Sequence, residues 1–347
     1  MNEDFLTPDA DLLEMLDGVF SSYREAHAPL AGRLTLDREF WAELDELGLV
    51  RLTGAEDKGG SGASWVEGRA LVEAAVRHGV RVPAAENDLL AGWVRDAIGI
   101  DGVDAVSNAV STVAIVDGNG VAKNVPWAGE ADTIVVVWLV DEGYLAAEVP
   151  AARVRLTPGE NMLGEPRDTI AVELDSIIGS PVAAETVAEL RRRSALVRAV
   201  QVSAALECSL DLALEYVPVR VQFGRPIAKL QAVQNLLADI ATETSLARSS
   251  TDSAFTKALV EGWSAEGLDF LVAVARSCAG HAASVVVRNA HQVFGAVGTT
   301  REHRLHEYTR AALAWRGEYG AVRSWDLQVS AAARNAGPGG LWALIAR

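Results

Sequence analysis

The sequence predicts an α+β chain in three consecutive zones. A helical domain is expected over 1–105, a small β domain over 106–183 and a four-helix bundle over 184–347. Three observations carry this expectation. The first zone repeats apolar residues at helical spacing. The second switches to short β-branched runs broken by Gly, Asp, Asn and Pro. The third returns to helical spacing in much longer segments.

In the first zone, "FWAELDELGLVRL" puts Phe40, Leu44, Leu47 and Leu49 near one face, and Gly48 closes the helix. After a glycine-rich loop, Ser64 stands as an N-cap with Glu67 at capping-box spacing. A further helix is expected near Glu86–Ala97. In the second zone "STVAIVDGNG", "DTIVVVWLVDEGYLAAEV", "ARVRLTP" and "TIAVELDS" read as strands of a mostly antiparallel sheet. Asp117-Gly118 and Asn119-Gly120 are hairpin signals. Thr133–Val140, the longest strongly apolar run, reads as a buried strand and is too short to cross a bilayer. In the third zone, "ETVAELRRRSALVRAVQVSAALECSLDLALEYV" reads as one long helix that is apolar on several sides. Pro218 is expected to end or kink it. Leu230, Val233, Leu237 and Ile240 line the next helix, Ser264–Ala290 gives another, and the chain beyond Arg301 a last helical region. Such helices belong in a bundle whose faces meet each other and a partner chain.

Composition narrows the function classes. A net charge of −16 and a pI near 4.8 argue against a nucleic-acid surface and against a polybasic membrane anchor. The start "MNEDFLTPDADLLEML" has neither the basic nor the apolar region of a signal peptide, so a cytoplasmic protein without membrane or nucleic-acid partners is expected. Cys208 and Cys278, the only two cysteines, sit in apolar helical patterns and read as reduced core thiols. The six histidines show no metal-ligand spacing.

Two motifs carry a resemblance. "RVQFGRPIAKLQAVQNLLADIA", from Arg220 to Ala241, resembles a signature of the acyl-CoA dehydrogenase family of flavoproteins, with Arg220, Gln222, Phe223, Gly224, Arg225, Pro226, Ile227, Gln231, Ala232 and Val233 matching. "HQVFGAVGTTREHRL" resembles a second, with Gln292, Gly295 and Gly298 matching and Ala296 where another glycine is frequent. The helix–sheet–helix order is also that of the family. Pro226 would occupy a first-turn position and Gly224 would relax the turn before it.

The resemblance implies FAD-dependent α,β-dehydrogenation of an acyl-CoA substrate. It implies a homo- or hetero-oligomer, a dimer or tetramer of similar chains, with an electron-accepting flavoprotein as a further partner. Arg220 would make paired bonds to the FAD diphosphate, and Phe223 with Ile227 would seat the adenine. Gln222, Gln231, Gln292, Gly295 and Gly298 would lie at the same end of a cofactor bound mainly by the neighbouring subunit.

The sequence also departs from the family. In that family the base that removes the α-proton is usually a Glu at one of two places. One falls on Ser194, followed by Ala195 where an arginine is common. The other falls on Tyr319, with Glu318 one residue out of register. Glu318 is therefore the base of this chain or an ordinary loop carboxylate. If it is the base, it is expected in an apolar pocket that raises its proton affinity. The segment that opens the family's β domain is missing after Ile100, and Trp127 is either the aromatic against the flavin or a structural core residue. Three readings stay open: a catalytic dehydrogenase, a non-catalytic partner subunit of a mixed assembly, and a flavin-free scaffold.

Overall fold

The computed structural model describes residues 6–27, 32–99 and 108–345, so the departure after Ile100 and the expected border at 105/106 lie outside the described residues. The chain divides into two compact units, Met1–Arg193 and Ser194–Arg347, and the division falls inside one long helix.

The first unit starts with α1 (Ala10–Ala26), α2 (Arg38–Glu46) and α3 (Trp65–His78). Each begins on a polar side chain that takes up orphan backbone N–H groups. Asp9 accepts from Asp11 and Leu12, and Asp37 from Glu39 and Phe40. Ser64 and Glu67 form the expected capping box. Gly48, at φ 73°, follows α2 where the sequence placed its end. The helix expected near Glu86–Ala97 is present, but it is not uniform. Its first part, Ala85–Gly92, is a π-helix with every residue buried, and only then does α4 (Trp93–Ile98) follow. Apolar spacing does not separate a π turn from an α turn in so short a stretch.

Seven strands follow: β1 (Ser111–Val116), β2 (Val121–Pro126), β3 (Thr133–Val140), β4 (Gly143–Pro150), β5 (Arg155–Thr157), β6 (Arg167–Ala171) and β7 (Ser180–Val182). They make two sheets, in the orders β1-β3-β4-β7 and β2-β6-β5. Only the β1–β3 pairing is parallel. The Asp117–Gly120 turn forms, with the Gly120 N–H donating to the Asp117 carbonyl at 2.9 Å, but it does not close a hairpin. β1 pairs with β3 and β2 with β6, so the turn hands the chain from one sheet to the other. Turn chemistry reports a reversal of direction, not which strand becomes the neighbour. Helices and strands of this unit share one core, in which Phe20, Trp41, Trp127, Ile134 and Ile170 are buried.

The second unit holds most of α5 (Ala184–Val219), then α6 (Gln231–Glu261), α7 (Leu268–Phe294), α8 (Leu305–Trp315) and α9 (Val322–Ile345). α7 packs along α6 on one side and α9 on the other. α5 meets α6 where the Ser203 and Thr251 hydroxyls lie 3.2 Å apart inside the bundle. Leu268–Thr299 is long and apolar enough to cross a membrane by composition alone, and half of that window is buried within the protein. Pro218 sits in the last turn of α5, which ends at the next residue.

The junction after α5 differs from the expected one. Pro226 is not in the first turn of a helix. Val221–Gln222 (β8) pairs with Arg225–Pro226 (β9) in a small hairpin, a 3₁₀ turn covers Ile227–Lys229, and α6 starts only at Gln231. Phe223 and Gly224 hold φ values of 53° and 73°, the two left-handed positions of a type I′ turn.

Candidate functional site

The two motifs meet at one end of the bundle. Tyr216, in the last turns of α5, stacks on Phe294, the last residue of α7, with ring centroids 4.5 Å apart and planes 25° from parallel. The His303 ring sits 4.4 Å from Phe294 and 6.4 Å from Tyr216. The Tyr216 carbonyl also accepts the Arg220 N–H at 3.0 Å, so the hairpin hangs directly from this stack.

The motif side chains divide into those turned out and those turned in. Arg220, Gln222 and Gln292 are exposed, and their side chains make no hydrogen bond to the described residues. Phe223, at the hairpin tip, is 87 % exposed. Ile227 is buried, so Phe223 and Ile227 do not face the same way as an apolar seat would need. The exposed Gln231 bonds its own helix, its Nε2 donating to Asn235 Oδ1 at 3.0 Å. Gly295, at φ 62°, is exposed with open space where a side chain would be. Gly298 is buried, and a Cβ there would come within 2.7 Å of Phe294 Cβ and 3.1 Å of a Leu305 methyl.

A second cluster surrounds Glu318, in the turn between α8 and α9. Arg198 on α5 donates from Nε to Glu318 Oε2 at 2.7 Å, and the two side chains are 0 % and 13 % exposed. Arg198 also donates to Gln201 Oε1 at 2.6 Å. Arg276 on α7 donates from Nη2 to the carbonyls of Glu318 and Arg316 at 2.7 and 3.0 Å. Burial, and then the like charge of Arg198, pull the Arg276 pKa down to about 9. Tyr319, at φ 53°, lies with its ring 5.0 Å from the Arg198 guanidinium. Ser194 is buried one turn before Arg198 on the same face of α5. The ion pair thus brings the turn at Glu318, one of the two places expected for a base, to Arg198, which lies one helical turn along α5 from the other. What faces the Glu318 carboxylate is a buried guanidinium, where an apolar pocket was expected for a base. Trp127 is 2 % exposed in the core of the first unit.

Sequence reasoning missed Arg198, Arg276, Tyr216 and His303. A signal for the two arginines was there: each is a lone charge inside an apolar helical stretch, "ALVRAVQV" and "VAVARSCAG". Such a charge has to find a partner when the helix is buried.

Residues 179–321, which include both clusters, match the model of the acyl-CoA dehydrogenase C-terminal domain. The acyl-CoA dehydrogenase FadE34 of Mycobacterium tuberculosis is 29% identical over 310 residues, which is 85% of this chain and 42% of that protein. The chain is similar to the acyl-CoA dehydrogenase family, whose C-terminal domain is matched by residues 179–321. The acyl-CoA dehydrogenase IpdE2 of Mycolicibacterium smegmatis is 33% identical over 163 residues, 45% of this chain and 49% of that protein. The chain therefore spans less than half the length of these curated relatives. A chain of the ChsE4-ChsE5 complex from Mycobacterium tuberculosis has the same fold, with a TM-score of 0.78 at 23% identity over 96% of this chain and 99% of that one. The fold is thus that of the acyl-CoA dehydrogenases: helical zone, small β zone, helical bundle.

The bundle end fits the family's cofactor by its donor set. A guanidinium, an aromatic ring, two amides and an open glycine backbone stand exposed at one end of the bundle, and the guanidinium and amide donors are not used by the described chain. That set suits a long ligand with an anionic middle and an aromatic end.

Proposed function

We propose that this chain is a subunit of an acyl-CoA dehydrogenase assembly, presenting its Arg220 hairpin and the Gln292–Gly298 turn to an FAD held mainly by a neighbouring chain of the same fold. The assembly dehydrogenates an acyl-CoA thioester between its α and β carbons and passes the electrons to an acceptor flavoprotein. When bound, FAD supplies the hydride acceptor. This chain's part is to bind and orient. Arg220 offers paired N–H donors to a diphosphate, Gln292 adds a neutral donor, and Phe223 offers a ring face.

The observation that supports this best is the convergence of both motifs, side chains outward, on the Tyr216–Phe294 stack. Groups meant for a cofactor in the chain's own cleft would be screened by that chain, whereas these face away from it. The ion pair at Glu318 points the same way. A carboxylate tied to a buried guanidinium is a poor general base, so the α-proton would be taken by a glutamate of the neighbouring chain. A second reading keeps Glu318 as the base, favoured by its contact with Arg198, the residue one turn along α5 from Ser194.

The test is to purify the chain alone and with a homologous chain co-expressed, and to read flavin absorbance after dialysis. Flavin retained only in the mixed assembly supports the shared site. In that assembly, Arg220→Ala should weaken FAD binding by about ten-fold or more, the loss of a charge-assisted bond. Unchanged flavin content in the variant would remove Arg220 from the site.

A further inference from the structure

We infer that Tyr216, Phe294 and His303 form an aromatic clamp that fixes the pose of the Arg220 hairpin against the Gln292 end of α7, with Tyr216 as its positioning residue. The clamp bears on function only if the hairpin presents to flavin as proposed above. Its basis is local. A hairpin with two residue pairs does not hold its own direction in water. This one is paired only at Val221–Pro226 and Gln222–Arg225. The helix it hangs from is weakened at that point, because Pro218 has no N–H to give to the preceding turn. Something outside the hairpin must therefore aim Arg220.

Two contacts do so. The buried Ile227 holds the far end, its N–H donating to the Arg220 carbonyl at 2.8 Å. Tyr216 holds the near end. Its carbonyl takes the Arg220 N–H, and its ring lies nearly flat on Phe294. Phe294 is two residues from Gln292, so the stack couples the guanidinium of one motif to the amide of the other. His303 closes the third side. Its ring tilts against Phe294, and its Nδ1 accepts the Leu305 N–H at 3.1 Å, which ties it to the start of α8. Gly298 completes the arrangement by leaving room for Phe294. The rings thus set the spacing between two donors, one just after α5 and one on α7, that are to meet one ligand, and a spacing set in advance costs no ordering when the ligand binds.

The experiment uses the FAD-containing assembly with Tyr216→Ala, Tyr216→Phe, Phe294→Leu and Arg220→Ala. FAD affinity is read by flavin fluorescence, and the hairpin by amide hydrogen exchange at Ile227. Tyr216→Ala and Phe294→Leu should each speed that exchange and weaken FAD by about three- to ten-fold, the scale of one aromatic pair. Tyr216→Phe should restore both, since the ring carries the contact. Arg220→Ala should weaken FAD without changing the exchange. Unchanged exchange in Tyr216→Ala and Phe294→Leu overturns the clamp. So does faster exchange with full FAD affinity, and if Arg220→Ala still weakens FAD the shared-site reading survives alone. FAD affinity untouched by Arg220→Ala would sink both.

Discussion

Asp88 lies buried in the π-helix, where burial pushes its pKa up to about 6 from an ordinary 3.8. The Thr53 N–H and hydroxyl both donate to Oδ2 at 2.9 Å and pull the other way, but Oδ1 is buried without a hydrogen bond. The folded chain therefore holds this proton longer than the unfolded chain does. Its contribution to stability is full below about 3.8 and is lost as pH rises through about 6, a matter of roughly 3 kcal/mol at 1.36 kcal/mol per unit. Asp88→Asn abolishes the titration, so its Tm relative to the native chain should rise between about pH 4 and pH 7. A Tm difference that stays flat across that range would contradict this. Glu318 is held instead by an ion pair, with Arg198 Nε at 2.7 Å from its Oε2. Glu318→Gln removes the negative member of a group with two fully buried arginines, at a cost of about 3–5 kcal/mol. Melting and dye-coupled turnover on the same preparation separate its two roles. A lowered Tm marks a structural ion pair, whereas an unchanged Tm with about a hundred-fold less turnover marks a base.

At the scale of elements, the legible features were those written locally. Ser64 and Glu67 announce a helix start within four residues, and Thr133–Val140 announces a buried strand by its β-branched run. Features set by distant partners were not legible. The π-helix depends on what Glu86, Asn87 and Asp88 find inside the first unit, and Asn87 finds the Val50 carbonyl and the Ser111 N–H. The Phe223–Gly224 hairpin runs against propensity, because a phenylalanine seldom adopts a left-handed backbone. A side chain that is both strained and 87 % exposed gains nothing from its own fold, which suits a contact outside the chain. Phe223→Asn should therefore leave the melting temperature unchanged or raise it, easing about 1 kcal/mol of strain, while reducing FAD retention. A variant that melts higher and keeps its flavin would take Phe223 out of the cofactor site. Gly298→Ala should act from below. Its methyl would press on Phe294 and cost about 1–3 kcal/mol, read as a lower Tm.

For the whole molecule, the order of the three zones was readable because each has its own periodicity, and periodicity needs no knowledge of neighbours. The pairing of Arg198 with Glu318 was not readable, since 120 positions separate them and only the fold brings them together. The same limit applied to α9, whose sequence looks like one more bundle helix. None of its 24 residues is buried. Its first turns are tied to α7, where the Ser277 hydroxyl donates to Asp326 at 2.6 Å and Val322 packs against Gly280. Leu327 lies open before the break at Gly337, at φ 65°, and beyond it Trp342 stands 79 % exposed and Ile345 lies open as well. A chain with a net charge of −16 that leaves these apolar side chains uncovered is expected to cover them with another chain, since apolar area in water is costly and a like-charged exterior opposes indiscriminate sticking. Leu327→Glu with Trp342→Glu should therefore shift the sedimentation of the purified chain to a lighter species with unchanged circular dichroism. The shift should appear whether the neighbour is a second copy or a related chain, because the charge lies on this side of the contact. A native chain that sediments as a monomer at micromolar concentration, alone and with its homologue, would show that α9 is solvated as it stands.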